Sequence, residues 1–241
     1  MDEVHVSATL WPLFLPDLIG FWMTDMKTII AAILCLSLIG CAGVQTQRLS
    51  DDTMSSLQGK SVTLVQRESP SFVAMTSGKG MFAVAGVGAA AVAGNNLVKD
   101  AQIEDPAMAI GSALGQELAA KHGVSIVEPS DAVAGSDNVA EIVRVAAGAD
   151  YALDVVTNGW SYMYDGFNFS DYFVGYSSRL RLIDVNTSTV LASGMCAYDA
   201  KKAGKSAVSH ETLTADNAAY IKQELSAATD TCVQHFTANV L

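Results

Sequence analysis

Apolar positions recur with two different periods along this chain, and the switches between them mark its elements. Ser61-Val62-Thr63-Leu64-Val65-Gln66 is β-branched and partly alternating, which predicts a first strand. A loop with Pro70, Gly78 and Gly80 follows, and then an uncharged run of small and apolar residues over 81–94. Asp105 and Pro106 form a helix-start signal; Ile110, Leu114 and Leu118 then share one face, and Gly123 ends the helix after Lys121 and His122. Residues 124–127 read as a short strand, 129–137 as a loop, 139–147 as a short helix ended by Gly148, and 150–156 as a strand. Residues 157–178 are aromatic, with an Asp165-Gly166 hairpin signal. Residues 176–185 alternate, Asn186-Thr187-Ser188 turn, and 189–197 return as a strand. After a polar loop at 201–209, Leu213, Ala218, Ile221, Leu225, Ala228, Cys232 and Phe236 recur at near-helical spacing and predict a helix over 212–240.

The order strand, helix, strand, helix, strand, then hairpins, then helix predicts an α/β fold. It has a mixed sheet with a βαβαβ crossover section, antiparallel hairpin strands and a long C-terminal helix. The run 81–94 lacks the lysine that a phosphate loop requires, and its Gly86-Val87-Gly88-Ala89-Ala90-Ala91 has no clear strand leading into it. Gly86, Ala90 and Gly94 lie four apart, so one helix face would be nearly bare. Such a face suits close packing within the chain, against another copy, or at a membrane.

The first part of the chain follows neither period. Lys27 precedes an apolar run over 29–39, and small residues lead into Cys41: a charged region, an apolar region and a cleavage region of a secretory signal. Leu38-Ile39-Gly40-Cys41 resembles the lipobox of bacterial lipoproteins, which implies that Cys41 becomes the first mature residue and carries the acyl chains. Met26 starts a well-formed signal, so residues 1–25 read as upstream read-through, with Met23 as an alternative start. The expected organisation is read-through at 1–25, signal at 26–40, a lipidated flexible tether at 41–58 and one domain at 59–241. Ala42 rather than aspartate after the lipidated position favours the outer membrane, with the domain facing the periplasm.

Charge and cysteine content change the picture next. The whole chain of 241 residues has a net charge of −11; loss of 1–40 removes Lys27, Asp2, Glu3, Asp17 and Asp25 and leaves −8. No basic run exceeds Lys201-Lys202, so nucleic acid is not an expected partner. Cys35 leaves with the signal and Cys41 is lipidated, leaving Cys196 and Cys232. A disulfide between these two is the first reading in an oxidising compartment. Two free thiols, or a metal pair using His235, are the alternatives.

Gly148-Ala149-Asp150-Tyr151-Ala152-Leu153, followed by Leu182-Ile183-Asp184-Val185-Asn186-Thr187 and Val190-Leu191-Ala192, resembles the α/β domain shared by the curli-secretion lipoprotein and the lipoprotein activators of penicillin-binding proteins. The resemblance covers 100–241 and implies a lipid-anchored, non-enzymatic accessory domain. The long alternating strands of a membrane barrel are missing.

Catalytic motifs are not apparent. Ser177 and Ser178 lack a nucleophile frame, and His122, His210 and His235 are scattered. Asp150 and Asp154 share a strand face but read as solvated residues. No cofactor is expected. Trp160, Tyr162 and Tyr164 are the candidate partner surface, because such rings bring contact area at low entropic cost; the competing reading is that they fill a core. The expected function is a binding or envelope-assembly and secretion module, anchored to the membrane at Cys41 and meeting another envelope protein or itself. A self-associating structural lipoprotein and a periplasmic hydrolase are the alternatives.

Overall fold

The computed structural model describes residues 46–80, 83–166 and 168–241. Its elements are α1 (Asp51–Ser56), β1 (Ser61–Leu64), β2 (Gln66–Arg67), β3 (Val73–Met75), α2 (Ser77–Gly80), α3 (Ala83–Ala101), α4 (Pro106–His122), β4 (Ser125–Val127), β5 (Val133–Ala134), α5 (Val139–Val145), β6 (Tyr151–Asp165), β7 (Asn168–Asp184), β8 (Thr189–Asp199), β9 (Val208–Ser209) and α6 (His210–Asn239).

The fold is α/β around a mixed sheet in the order β4-β1-β6-β7-β8. β1 runs parallel to both β4 and β6, so α4 and α5 lie on the crossovers that the alternating pattern predicts. β6, β7 and β8 are long and antiparallel. β3 extends the sheet beside the far half of β6, and β9 does so beside β7. A separate parallel pair joins β2 to β5. The loops expected at 70–80, 129–137 and 201–209 thus contain β3, β5 and β9, each two or three residues long and too short to show a period.

Local signals explain α4 closely. The Asp105 carboxylate accepts from the Ala107 N–H at 3.0 Å, and Gly123 closes the helix at φ 66°. Ile110, Leu114 and Leu118 are buried against the sheet. α6 begins two residues earlier than expected, with the Ser209 hydroxyl capping Thr212, and it is broken at Ala215–Ala218, where Asp216, Asn217 and Ala218 take left-handed conformations.

The uncharged run becomes α3, and its small face packs within the chain. A Cβ on Gly86 would stand 1.8 Å from the Lys79 carbonyl oxygen, and one on Gly94 would stand 1.8 Å from that of Phe72. Ala90 is fully buried between them. Only small residues allow this approach to the backbone ahead of α3.

Residues 42–58 are not a tether throughout. From residue 46 the chain is laid on the domain: Gln47 bridges to Ser193 on β8, Leu49 N–H donates to the Val240 carbonyl at 2.8 Å, and Leu49 and Leu57 are buried. The polar composition of 42–58 hid two core residues. The described residues from 46 onward form one compact unit with a core of its own.

Candidate interaction face of the sheet

The two faces of the long hairpin carry different chemistry, because strand residues alternate. The inner face, under α4 and α6, is the main core. A bulge between Thr157 and Gly159 shifts the phase of β6, so that the inward positions pass from Tyr151, Leu153 and Val155 to Trp160 and Tyr162. Trp160 and Tyr162 are on this inner face and are 3% and 2% exposed. Phe72 meets Trp160 edge to face at 5.3 Å between ring centroids, and Tyr162 meets Tyr172 at 5.6 Å. The Trp160 indole N–H donates to the Pro70 carbonyl at 2.8 Å; the Tyr162 hydroxyl is 3.1 Å from His210 Nε2. Burial pushes the Tyr162 phenol up to about 12. Trp160 and Tyr162 are therefore core, not a partner surface. Tyr164, nearer the hairpin tip, is half-buried and stacks obliquely on Phe169 at 5.4 Å.

The disulfide also lies on this side. Cys196 faces inward from β8 and is bonded to Cys232 on α6, with their Cα atoms 5.5 Å apart. The ring of His235, the co-ligand in the alternative metal reading, has its Nδ1 3.4 Å from Asn239 Nδ2. Among the described residues, no group of three His, Cys, Asp or Glu side chains is arranged to hold a metal ion.

The outer face has three zones. At one end, Ala152 and Ile183 pack with Val65, Ile142, Val145 and Ala146 beneath α5. In the middle stands a charge network. Asp154, read from the sequence as solvated, is 0% exposed. Its Oδ1 accepts from Arg67 Nε at 2.8 Å and its Oδ2 from Arg181 at 2.7 and 3.0 Å. Asp137 closes the network from the loop before α5: it accepts from Arg179 at 2.6 and 2.8 Å and from Arg67 at 2.7 Å. The hydrogen bonds from Arg179 hold the Asp137 carboxyl far below the usual carboxylate range, and the guanidiniums of Arg67 and Arg181 add to the effect. Asp150, four residues from Asp154, does other work. It accepts from the Ser61 N–H and hydroxyl, both at 2.9 Å, and joins the start of β6 to β1. The two carboxylates do not form an acid/base pair.

The third zone is open. Gly159, Ser161 and Met163 of β6, Phe173, Gly175 and Ser177 of β7, Met195 and Ala197 of β8, and Val73 and Met75 of β3 share it by register. None of these ten is fully buried, and Met163 is 53% exposed. Two adjoining cavities of about 290 and 360 Å³ lie over it and share Ser161, Met163 and Gly175. Small residues make the surface concave, while methionines supply adaptable apolar contact. Single residues hint at none of this; the signal was the phase of the alternation, which puts the aromatics on one side and Met, Gly and Ser on the other.

At the tip, Phe169 is 57% exposed. The loop after β8 brings Lys201 over the Phe173 ring at 5.4 Å and into an ion pair with Asp165 at 3.0 Å. Another cavity of about 700 Å³ lies between the start of α4 and α6, lined by Glu104, Met108, Lys222 and Ser226 among others. Cys41, the expected lipidation position, and the signal and read-through expected at 1–40 lie outside the described residues. Among the described residues, no helix is long and apolar enough to cross a membrane.

No protein-family model and no curated protein matches the sequence. Solved structures similar to the chain include PelC of Paraburkholderia phytofirmans, described as a dodecamer. It is 16% identical with a TM-score of 0.36, over 80% of this chain and 93% of that one. Lipoprotein GNA1162 of Neisseria meningitidis is 16% identical with a TM-score of 0.27, over 74% of this chain and 99% of that one. The LpoB C-terminal domain of Salmonella enterica is 14% identical with a TM-score of 0.26, over 58% of this chain and 83% of that one.

Proposed function

We propose that the chain is a cell-envelope lipoprotein, cut before Cys41, acylated there, and held at the outer membrane with its α/β domain in the periplasm. Within that setting it is a non-enzymatic binding module that presents the open zone of its outer sheet face to another envelope protein. The signal pattern of residues 26–41 supports the address. The Cys196–Cys232 bond fits an oxidising compartment. The observation that carries the binding role is the pair of adjoining cavities on this face, lined by Met75, Ser161, Met163, Phe173 and Gly175 among others.

Two measurements test this reading. The intact mass of the protein from native membranes should show a chain beginning at an acylated residue 41; a species that keeps residues 1–40 removes the anchor. A photo-crosslinker in place of Ala197 should give a defined adduct in native membranes, whereas one in place of Gln116 on α4 should not. No adduct from Ala197 rejects the binding face.

A second reading, self-association, is favoured by the outer edge of β8. Among the described residues, this edge pairs only at Ser193, with Gln47, and an uncovered edge is a template for another strand. Sedimentation that shows a concentration-dependent oligomer, weakened by proline in place of Ala197, supports it; a strict monomer rejects it.

A further inference from the structure

We propose that the cleft between the start of α4 and α6 binds a short zwitterionic peptide, with the peptide's ammonium end at Glu104 and its carboxylate end at Lys222. The site needs neither the anchor at Cys41 nor the outer sheet face, which lies on the other side of the sheet from α4 and α6. The cleft holds about 700 Å³, more than either cavity on the outer face, and a volume of this order suits a ligand of a few residues.

Charge selects the ligand. Glu104, Asp105 and Lys222 line the cleft, and they differ in what already holds them. The Asp105 carboxylate is engaged: it accepts from the Ala107 N–H at 3.0 Å and from the Thr157 hydroxyl, which caps α4 and ties it to β6. Glu104, on the linker ahead of α4, and Lys222, on α6, make no ion pair and no side-chain hydrogen bond among the described residues. An acid and a base on facing elements that do not meet each other leave both charges for a ligand with the complementary pair. A simple anion would meet two carboxylates here and a simple cation would meet Lys222, so a molecule bearing both signs matches the set. Between the charges the lining is apolar: Ile103 and Leu225 are 5% and 3% exposed, and Met108 extends them to the surface.

The wall that carries Glu104 is set in advance. The Ile103 N–H donates to the Val98 carbonyl at 2.9 Å, and the Asn217 side-chain amide donates to the Ala101 carbonyl at 3.2 Å. Gln102 is left-handed at φ 52°, as are Asp216, Asn217 and Ala218 at the break in α6. Such backbone is uncommon outside glycine and persists where its surroundings fix it. A linker held from both sides loses little further freedom when a ligand arrives, which favours binding.

The test is equilibrium dialysis of the full chain against a pool of tripeptides built from alanine, leucine, serine and phenylalanine with free ends, beside the same pool N-acetylated and the same pool C-amidated. The free pool should bind saturably, and each blocked pool about tenfold more weakly, because each loses one charge-assisted contact. In Glu104→Gln the penalty for acetylation should vanish while that for amidation stays, and Lys222→Gln should do the reverse. Ser226→Trp, at an exposed lining position of α6, should close the cleft and abolish binding of the free pool; if that variant does not fold, the two charge variants decide alone. With the free pool, hydrogen exchange should slow in 102–109 and 222–229, while 159–163 and 173–177 on the outer face exchange as before. No saturable binding, binding that ignores both blocked ends, or penalties that persist in both charge variants overturns the proposal. Protection confined to the outer face assigns the peptide to the sheet and overturns it as well.

Discussion

Asp154 shows how much a single residue's meaning depends on what faces it. Along the sequence it is one acid four residues from another, in a strand that begins in polar surroundings. In the fold it is the buried counter-ion of Arg67 and Arg181, at 2.8 and 2.7 Å. Removing one partner of such a group leaves buried charge uncompensated, which costs about 3–5 kcal/mol. Asp154→Asn should lower the unfolding free energy by that order in urea titrations, with the fold retained at low denaturant. Asp137 behaves differently because its side chain is 63% exposed, so water screens its pairing and its share of stability is smaller. Its folded pKa lies below the ordinary value of 3.8, so its contribution is present above that value and is lost as the pH falls below it. Asp137→Asn should therefore lower the melting temperature modestly at pH 7, by a difference from the parent that shrinks as the pH falls from about 5 to 2, so that the acid loss of stability is flatter in thermal melts over that range. The arginines of this network were visible in the sequence as the polar alternates of Leu180 and Leu182. Their meeting with Asp137, and the third cation Arg67 that shares Asp137 and Asp154 with them, were not, because Arg67 and Asp137 lie far away along the chain.

Helix α3 carries the clearest lesson at the level of elements. Its small-residue face at Gly86, Ala90 and Gly94 was legible, but whether it packed inside the chain, on another copy or at a membrane was not. The backbone of Phe72 and Lys79 decides it by approaching too closely for any side chain. Gly94→Ala should force α3 off β3 and destabilise the protein by about 1–3 kcal/mol. Gly88→Ala is the matched control: its Cβ would meet nothing within 4 Å, and helix propensity predicts a gain of about 0.5–1 kcal/mol. Urea midpoints moving in the same direction for both would reject this account. Helix α4 was legible almost residue by residue, since its cap, its apolar face and its terminal glycine are all local. The strands β3, β5 and β9 were not, because each exists only through the partner strand beside it.

For the whole molecule, two ties hold distant parts together. The Cys196–Cys232 bond pins α6 to β8 across 36 residues. Replacing both cysteines with alanine should cost about 3–4 kcal/mol by chain entropy, seen as a lower unfolding midpoint that reductant no longer shifts. The other tie is at the start of the described chain, where Gln47 bridges to Ser193 of β8 and the Leu49 N–H donates to Val240 just after α6, which shortens the proposed leash from Cys41 to a few residues. By itself the sequence determined what depends on near neighbours: the α/β order of elements, the capped helix α4 and the acidic net charge. Only the tertiary structure decided which alternating face of the long hairpin became core. It buried Trp160 and Tyr162, left Met163, Met195 and Ala197 open, and turned a scattered set of arginines and aspartates into one network around the buried Asp154. The reason is physical. Period and capping are encoded within a few residues, whereas burial and ion pairing depend on which remote segment covers a face.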